Sequence, residues 1–107
     1  MTTVQVRRDE KGVYGLKVRG HSGYAEEGSD IVCAAASVLI TTCANALENV
    51  AGVIPHQRVD EKRVTIEVLL PGNLSAQQDH DARIIFATAL QGFEDIAAEY
   101  PQYLHIL

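Results

Sequence analysis

Apolar and polar residues alternate in two runs near the start of the chain. Val4 and Val6 are interleaved with Thr3, Gln5 and Arg7, and beyond the polar turn Asp9-Glu10-Lys11-Gly12 a second alternation runs Tyr14, Leu16, Val18. A period of two is one face of a strand, so these runs predict a β-hairpin. The period then changes. From Val32 the apolar positions are Ala35, Ala36, Leu39, Cys43, Ala46, Leu47 and Val50, the spacing of one helical face, with Gly52 and Pro55 predicting the stop. Ile31, Ala34, Val38 and Ile40 make the same helix apolar nearly all round at its start, which predicts burial on several sides and points to a second subunit as one of the covers.

Alternation resumes at Arg58-Val59 and, after the turn Asp60-Glu61-Lys62-Arg63, at Val64, Ile66, Val68 and Leu70, closed by Pro71-Gly72-Asn73. Ser75-Ala76-Gln77-Gln78 has the spacing of a capping box, Ser75 reaching the amide of the third helical residue and Gln78 reaching back. The helix it opens carries the stripe Ala82, Ile85, Phe86, Ala89, Leu90, Phe93, Ile96, Ala97 and Tyr100, and Pro101 ends it. Tyr103 to Leu107 alternates enough for a last strand. The order ββαββαβ predicts an α+β fold, a mostly antiparallel sheet of about five strands with two helices packed on it. No repeat, linker or low-complexity tract interrupts it, so residues 1–107 are expected to form a single domain.

Composition agrees. The chain has 107 residues, 47% of them hydrophobic and 21% charged, the balance of one soluble folded domain with a core that needs no disulfide or metal. A net charge of −5 is the wrong sign for gripping nucleic acid through its phosphates, so no direct nucleic-acid contact is expected. The first residues have no apolar run after Arg7 and Arg8, and the uncharged stretch Ile31 to Leu47 holds Ser37, Thr41, Thr42 and Asn45. Neither a secretory signal nor a membrane span is expected, and the reading is a cytoplasmic protein with reduced thiols. Cys33 and Cys43, about 15 Å apart if on one helix, cannot pair with each other.

The segment Gly20 to Ser29, with three glycines in ten residues, obeys none of the local rules and is expected to be a mobile loop. His21 lies at its start and Cys33 just beyond its end. If Asp30 is the N-cap, Cys33 is the third helical residue, where unpaired amides and the positive end of the helix favour a thiolate. An imidazole folded back by the loop would complete a thiolate–imidazolium pair suited to attack on a peptide carbonyl, with the helix-start amides holding the oxyanion. The alternative is that Cys33, followed by Ala34, Ala35 and Ala36, is a small core residue, as cysteines often are. Both readings stand at this point.

Cys43, beside Leu39, Ala46 and Leu47, reads as core. Ser37, one turn after Cys33, is a candidate support for it or a tolerated serine. Glu26, Glu27 and Asp30 are suited to attract a basic peptide, or to orient His21, although a charged exposed loop is the better account of the two glutamates. Asp79-His80-Asp81 reads as a solvated helix start, since no paired His or Cys spacing accompanies it, and His56 and His105 read as surface residues. No phosphate loop or dinucleotide fingerprint occurs, so neither a metal nor another cofactor is expected.

The run Gly20-His21-Ser22-Gly23-Tyr24-Ala25, followed by Gly28-Ser29-Asp30-Ile31-Val32-Cys33-Ala34-Ala35-Ala36-Ser37, resembles the signature of the bacterial ribosomal-processing cysteine proteases. The likeness extends over the whole chain, through its length, its element order and Glu99-Tyr100-Pro101 before the last strand. It implies a small α+β homodimer that removes an N-terminal extension from a large-subunit ribosomal protein, with His21 and Cys33 as the catalytic dyad. Gly20, Gly28, Asp30 and Ser37 then become motif positions, and Ser22, Gly23, Tyr24, Ala25, Glu26 and Glu27 a substrate loop. The position of Ser22 varies in that family, and Cys43 is no part of its motif. The other class of reading is a non-catalytic dimeric module that binds ribosomal proteins or assembly factors with Cys33 buried.

Overall fold

The first hairpin is present as β1 (Thr2–Asp9) and β2 (Gly12–Arg19), antiparallel, with Val4 opposite Val18 and Val6 opposite Leu16. The computed structural model describes residues 1–20 and 27–107, the backbone alone over 27–30. After β2 come α1 (Glu27–Asn49), β3 (His56–Asp60), β4 (Thr65–Leu69), α2 (Ala76–Glu99) and β5 (Leu104–Ile106). The five strands form one sheet in the order β3-β4-β2-β1-β5, in which every pairing is antiparallel except that of β1 with β5. This is the predicted α+β architecture.

Register fixes which face of the sheet meets the helices. Val4 pairs with Val18, which pairs with Ile66, and Leu16 pairs with Val68, so these apolar residues share one face and the helices cover it. Phe86 and Phe93 of α2 and Ile40 and Leu47 of α1 are wholly buried there. The opposite face carries Gln5, Arg7, Lys17, Arg19 and Glu67, with Arg7 paired to Glu67 at 3.0 Å. Where the helices touch, Gly92 of α2 lies so close to Leu39 that an added Cβ would come within 2.8 Å of its side chain. That close approach presses α1, and Cys33 with it, onto the rest of the fold.

Helix ends follow the sequence in two cases and depart in one. Ser75 caps α2 with the reciprocal box, its Oγ accepting from the Gln78 backbone amide at 3.1 Å and the Gln78 side-chain Oε1 accepting from the Ser75 backbone amide at 3.1 Å. α1 closes through Gly52, whose φ of 68° suits a residue without a side chain, and the Val53 amide donates to the Leu47 carbonyl at 2.7 Å. At its other end α1 begins at Glu27, earlier than expected, so Glu27, Gly28 and Ser29 belong to a helix rather than a loop and Asp30 is an interior position rather than the N-cap. Glycine and serine are weak helix formers, which hid the extra turn, but elongation adds one hydrogen bond per residue once a helix exists.

Two further expectations change. The segment Ile31–Asn49 has a mean hydropathy of 1.7 and is long and apolar enough to cross a membrane by length and composition, whereas its Ser37, Thr41, Thr42 and Asn45 point away from a span. Its Val32, Ala36, Ile40, Cys43, Ala44 and Leu47 lie in the core, which is how a long apolar helix of a two-layer fold is used. Val64, expected to open β4, sits in the turn before it at φ 50°, a conformation that costs a β-branched residue about 1–2 kcal/mol. The turn is held there by the Gly20 amide donating to the Val64 carbonyl at 3.0 Å and the Val64 amide donating to the Glu61 carbonyl at 3.3 Å.

Candidate active site

Cys33 is the seventh residue of α1, one turn beyond the place the sequence reading gave it. The unpaired amides of a helix belong to its first four residues, here 27–30, and the field of the helix end fades within that turn. The expected arrangement, with the thiol facing open amides in the first turn, is therefore absent. What the structure supplies is a cleft. Cys33 is half-buried and opens into a cavity of about 430 Å³ between α1 and the β3–β4 hairpin.

The described lining is mostly apolar. Ala36 and Ile40 continue the wall of α1, Val18 and Ile66 come from the sheet, and Val59 and Val64 come from the hairpin. Asp60 and Glu61 add two carboxylates at the turn of that hairpin. Both are exposed, and Asp60 is engaged locally, its Oδ1 accepting from the Arg63 amide at 3.2 Å and its Oδ2 lying 3.8 Å from the Arg63 guanidinium. An apolar trough with an acidic margin suits an extended peptide that carries both apolar and basic residues.

Two hydroxyls border Cys33. Ser37 donates from Oγ to the Cys33 carbonyl at 2.8 Å, so it tethers the backbone of the helix rather than the sulfur. Thr2, only 2% exposed, places its Oγ1 3.6 Å from the Cys33 Sγ. The sequence reading missed Thr2, although a signal was available: it occupies the inward row of β1 with Val4 and Val6, where a polar residue needs a partner. The hairpin residues of the cleft were missed too, because their approach to α1 depends on tertiary packing.

His21, Ser22, Gly23, Tyr24, Ala25 and Glu26 lie outside the described residues, as do the side chains of Glu27 and Asp30. Gly20 is described, and it lines the same cleft as Cys33. Cys43 is 2% exposed in the core, as expected, and burial pushes its thiol up to about 12. His56, His80 and His105 are exposed, and no cluster of three or more metal-ligating side chains occurs among the described residues.

Comparison with known proteins bears on this geometry. A family model described as cysteine protease Prp matches residues 1–105. The chain is 25% identical over 107 residues to the ribosomal processing cysteine protease Prp of Bacillus subtilis (strain 168), covering 99% of this chain and 96% of that one. Among solved structures, SMU.848 from Streptococcus mutans superposes with a TM-score of 0.88 at 26% identity, covering 99% of this chain and 95% of that one. An essential ribosomal processing protease Prp from S. aureus, in complex with a substrate peptide, has the same fold, with a TM-score of 0.86 at 23% identity and coverage of 100% and 98%.

Proposed function

We propose, from the premise that this chain belongs to the cysteine protease Prp family, that Cys33 is its nucleophile, His21 its base, and a ribosomal-protein tail its substrate. The observation that carries the reading is that the half-buried Cys33 borders the apolar cleft beside α1, whereas Cys43 is sealed in the core. Gly20 supports the role of His21, because it brings the chain to the cleft one residue before the imidazole.

The reaction follows from these groups. His21 takes the proton of the Cys33 thiol, and Sγ attacks the carbonyl carbon of the scissile peptide bond. The C–N bond breaks as the imidazolium returns the proton to the leaving amine, which departs as the new N-terminus. The thioester left on Cys33 is hydrolysed by a water that gives its proton to His21, and release of the carboxylate fragment restores the thiol.

Three things support the finer substrate. The B. subtilis relative is named for ribosomal processing. The acidic margin at Asp60 and Glu61 and the net charge of −5 suit a basic protein tail and disfavour RNA. A homodimer belongs to the same reading: Ile31 and Val38 are 52% and 63% exposed and Ala34 between them is exposed, an apolar stripe on the outer side of α1. A cytoplasmic location completes it. The test is incubation of the protein with the ribosomal proteins of its host, read by mass spectrometry. One large-subunit protein should lose a discrete N-terminal segment, and a digest in which every ribosomal protein keeps its N-terminus overturns the assignment of substrate.

A further inference from the structure

From the contact between β1 and α1 we infer that Thr2 is a positioning residue for the nucleophile, its hydroxyl donating a hydrogen bond to the Cys33 sulfur when that sulfur is a thiolate. This rests on the reading of Cys33 as the nucleophile. The two atoms lie 3.6 Å apart, and Thr2 is 2% exposed. A buried threonine hydroxyl has one proton and needs somewhere to send it. A thiol accepts or donates in such a pair, whereas a thiolate only accepts, so ionisation of Cys33 leaves one arrangement open: Oγ1–H to S⁻. A hydrogen bond made to the charged form favours that form.

Thr2 is well placed to act as a fixed support. β1 is flanked on both sides, by β2 and by β5, and the Thr2 amide donates to the Tyr103 carbonyl at 2.8 Å. A Cβ added to Gly20 would stand 3.6 Å from the Thr2 hydroxyl, so the strand end that leads to His21 lies against the same side chain. The charged groups that line the cleft give the hydroxyl its importance. From the β3–β4 hairpin, Glu61 and Asp60, the latter ion-paired to Arg63 at 3.8 Å, line the cleft and disfavour a further negative charge there, and no Lys, Arg or His is among the described lining residues. Thr2 is neutral and preset, and it counters those carboxylates by a donor rather than by charge.

The test compares the full-length protein with Thr2→Val, which keeps shape and strand preference but removes the hydroxyl, and Thr2→Ser, which keeps the hydroxyl. The rate of Cys33 alkylation by iodoacetamide is followed from pH 5 to pH 10 beside cleavage of a peptide substrate. For Thr2→Val the pH of half-maximal labelling should rise by about one unit and kcat at pH 7 should fall roughly tenfold with KM little changed, as loss of a bond to the ionised form implies. Thr2→Ser should follow the unsubstituted protein. If Thr2→Val is recovered unfolded, Thr2→Ser against Thr2→Ala makes the same comparison between two smaller side chains. Superimposable pH profiles with and without the hydroxyl overturn the inference, and so does a Thr2→Ser protein as impaired as Thr2→Val. A Cys33→Ala protein that still cleaves overturns the nucleophile reading and the inference together. An inactive Cys33→Ala protein beside an unaltered Thr2→Val profile overturns the inference alone.

Discussion

Cys33 and Cys43 share one helix and face different chemistry. Burial holds Cys43 in its neutral form, with its thiol pushed up to about 12, whereas Cys33 borders a cleft. One equivalent of iodoacetamide at neutral pH should therefore label Cys33 and leave Cys43 untouched until denaturant is added, as peptide mapping would show. Equal labelling would remove the basis for treating the two thiols differently. The core role of Cys43 was legible because its helical spacing to Leu39, Ala46 and Leu47 is a local property. The depth of Cys33 within α1 was not, since Ser29-Asp30 before an apolar run reads as a helix start whenever the preceding residues are poor helix formers. Thr2 escaped for another reason: its place in the inward row of β1 calls for a partner, but that partner lies 31 residues away and nothing along the strand identifies it.

At the scale of elements, both hairpins and both helices follow from period and punctuation, and the capping box at Ser75 is present as spaced. What ties elements together is less visible. Arg83 of α2 reaches Asp9 at the end of β1 with two guanidinium bonds, at 2.6 and 3.1 Å, and also holds Asp79 at 3.0 Å. The bond from Arg83 holds the Asp9 carboxyl below its ordinary range, and that from Asp9 raises Arg83 in turn. Because the carboxyl is lowered in the folded state, its contribution is present above the ordinary aspartate value near 4 and disappears as pH falls through the lowered one. Arg83→Gln should thus melt lower than the unsubstituted protein at pH 7, by a modest margin because the Asp9 side chain is 43% exposed. The margin should close on acidification below about pH 4, whereas a margin unchanged down to pH 2 would assign the loss to packing of the arginine stem.

On the scale of the molecule, one sheet face is covered by two helices and the other is polar, and α1 has an outer side that none of the described residues covers. Val38 and Ile31 stand there, and an exposed apolar stripe of this kind is a common mark of self-association. Sedimentation at micromolar concentration should give about twice 11.6 kDa, and Val38→Glu should give a folded protein near 11.6 kDa. A native monomer would show that the stripe has another use. The exposed apolar side of α1 was legible in the all-round apolar start of the helix, whereas the cleft was not, because it forms only where the β3–β4 hairpin packs beside α1. The central claim is that Cys33 attacks a peptide carbonyl, and the most direct measurement is rapid acid quench of the protein with a cleavable peptide followed by mass spectrometry of the intact chain and its digest. The account predicts a thioester between Cys33 and the N-terminal fragment of the peptide, present during turnover and absent from Cys33→Ala. An adduct on any other residue, or cleavage by the Cys33→Ala protein at the unsubstituted rate, would contradict it.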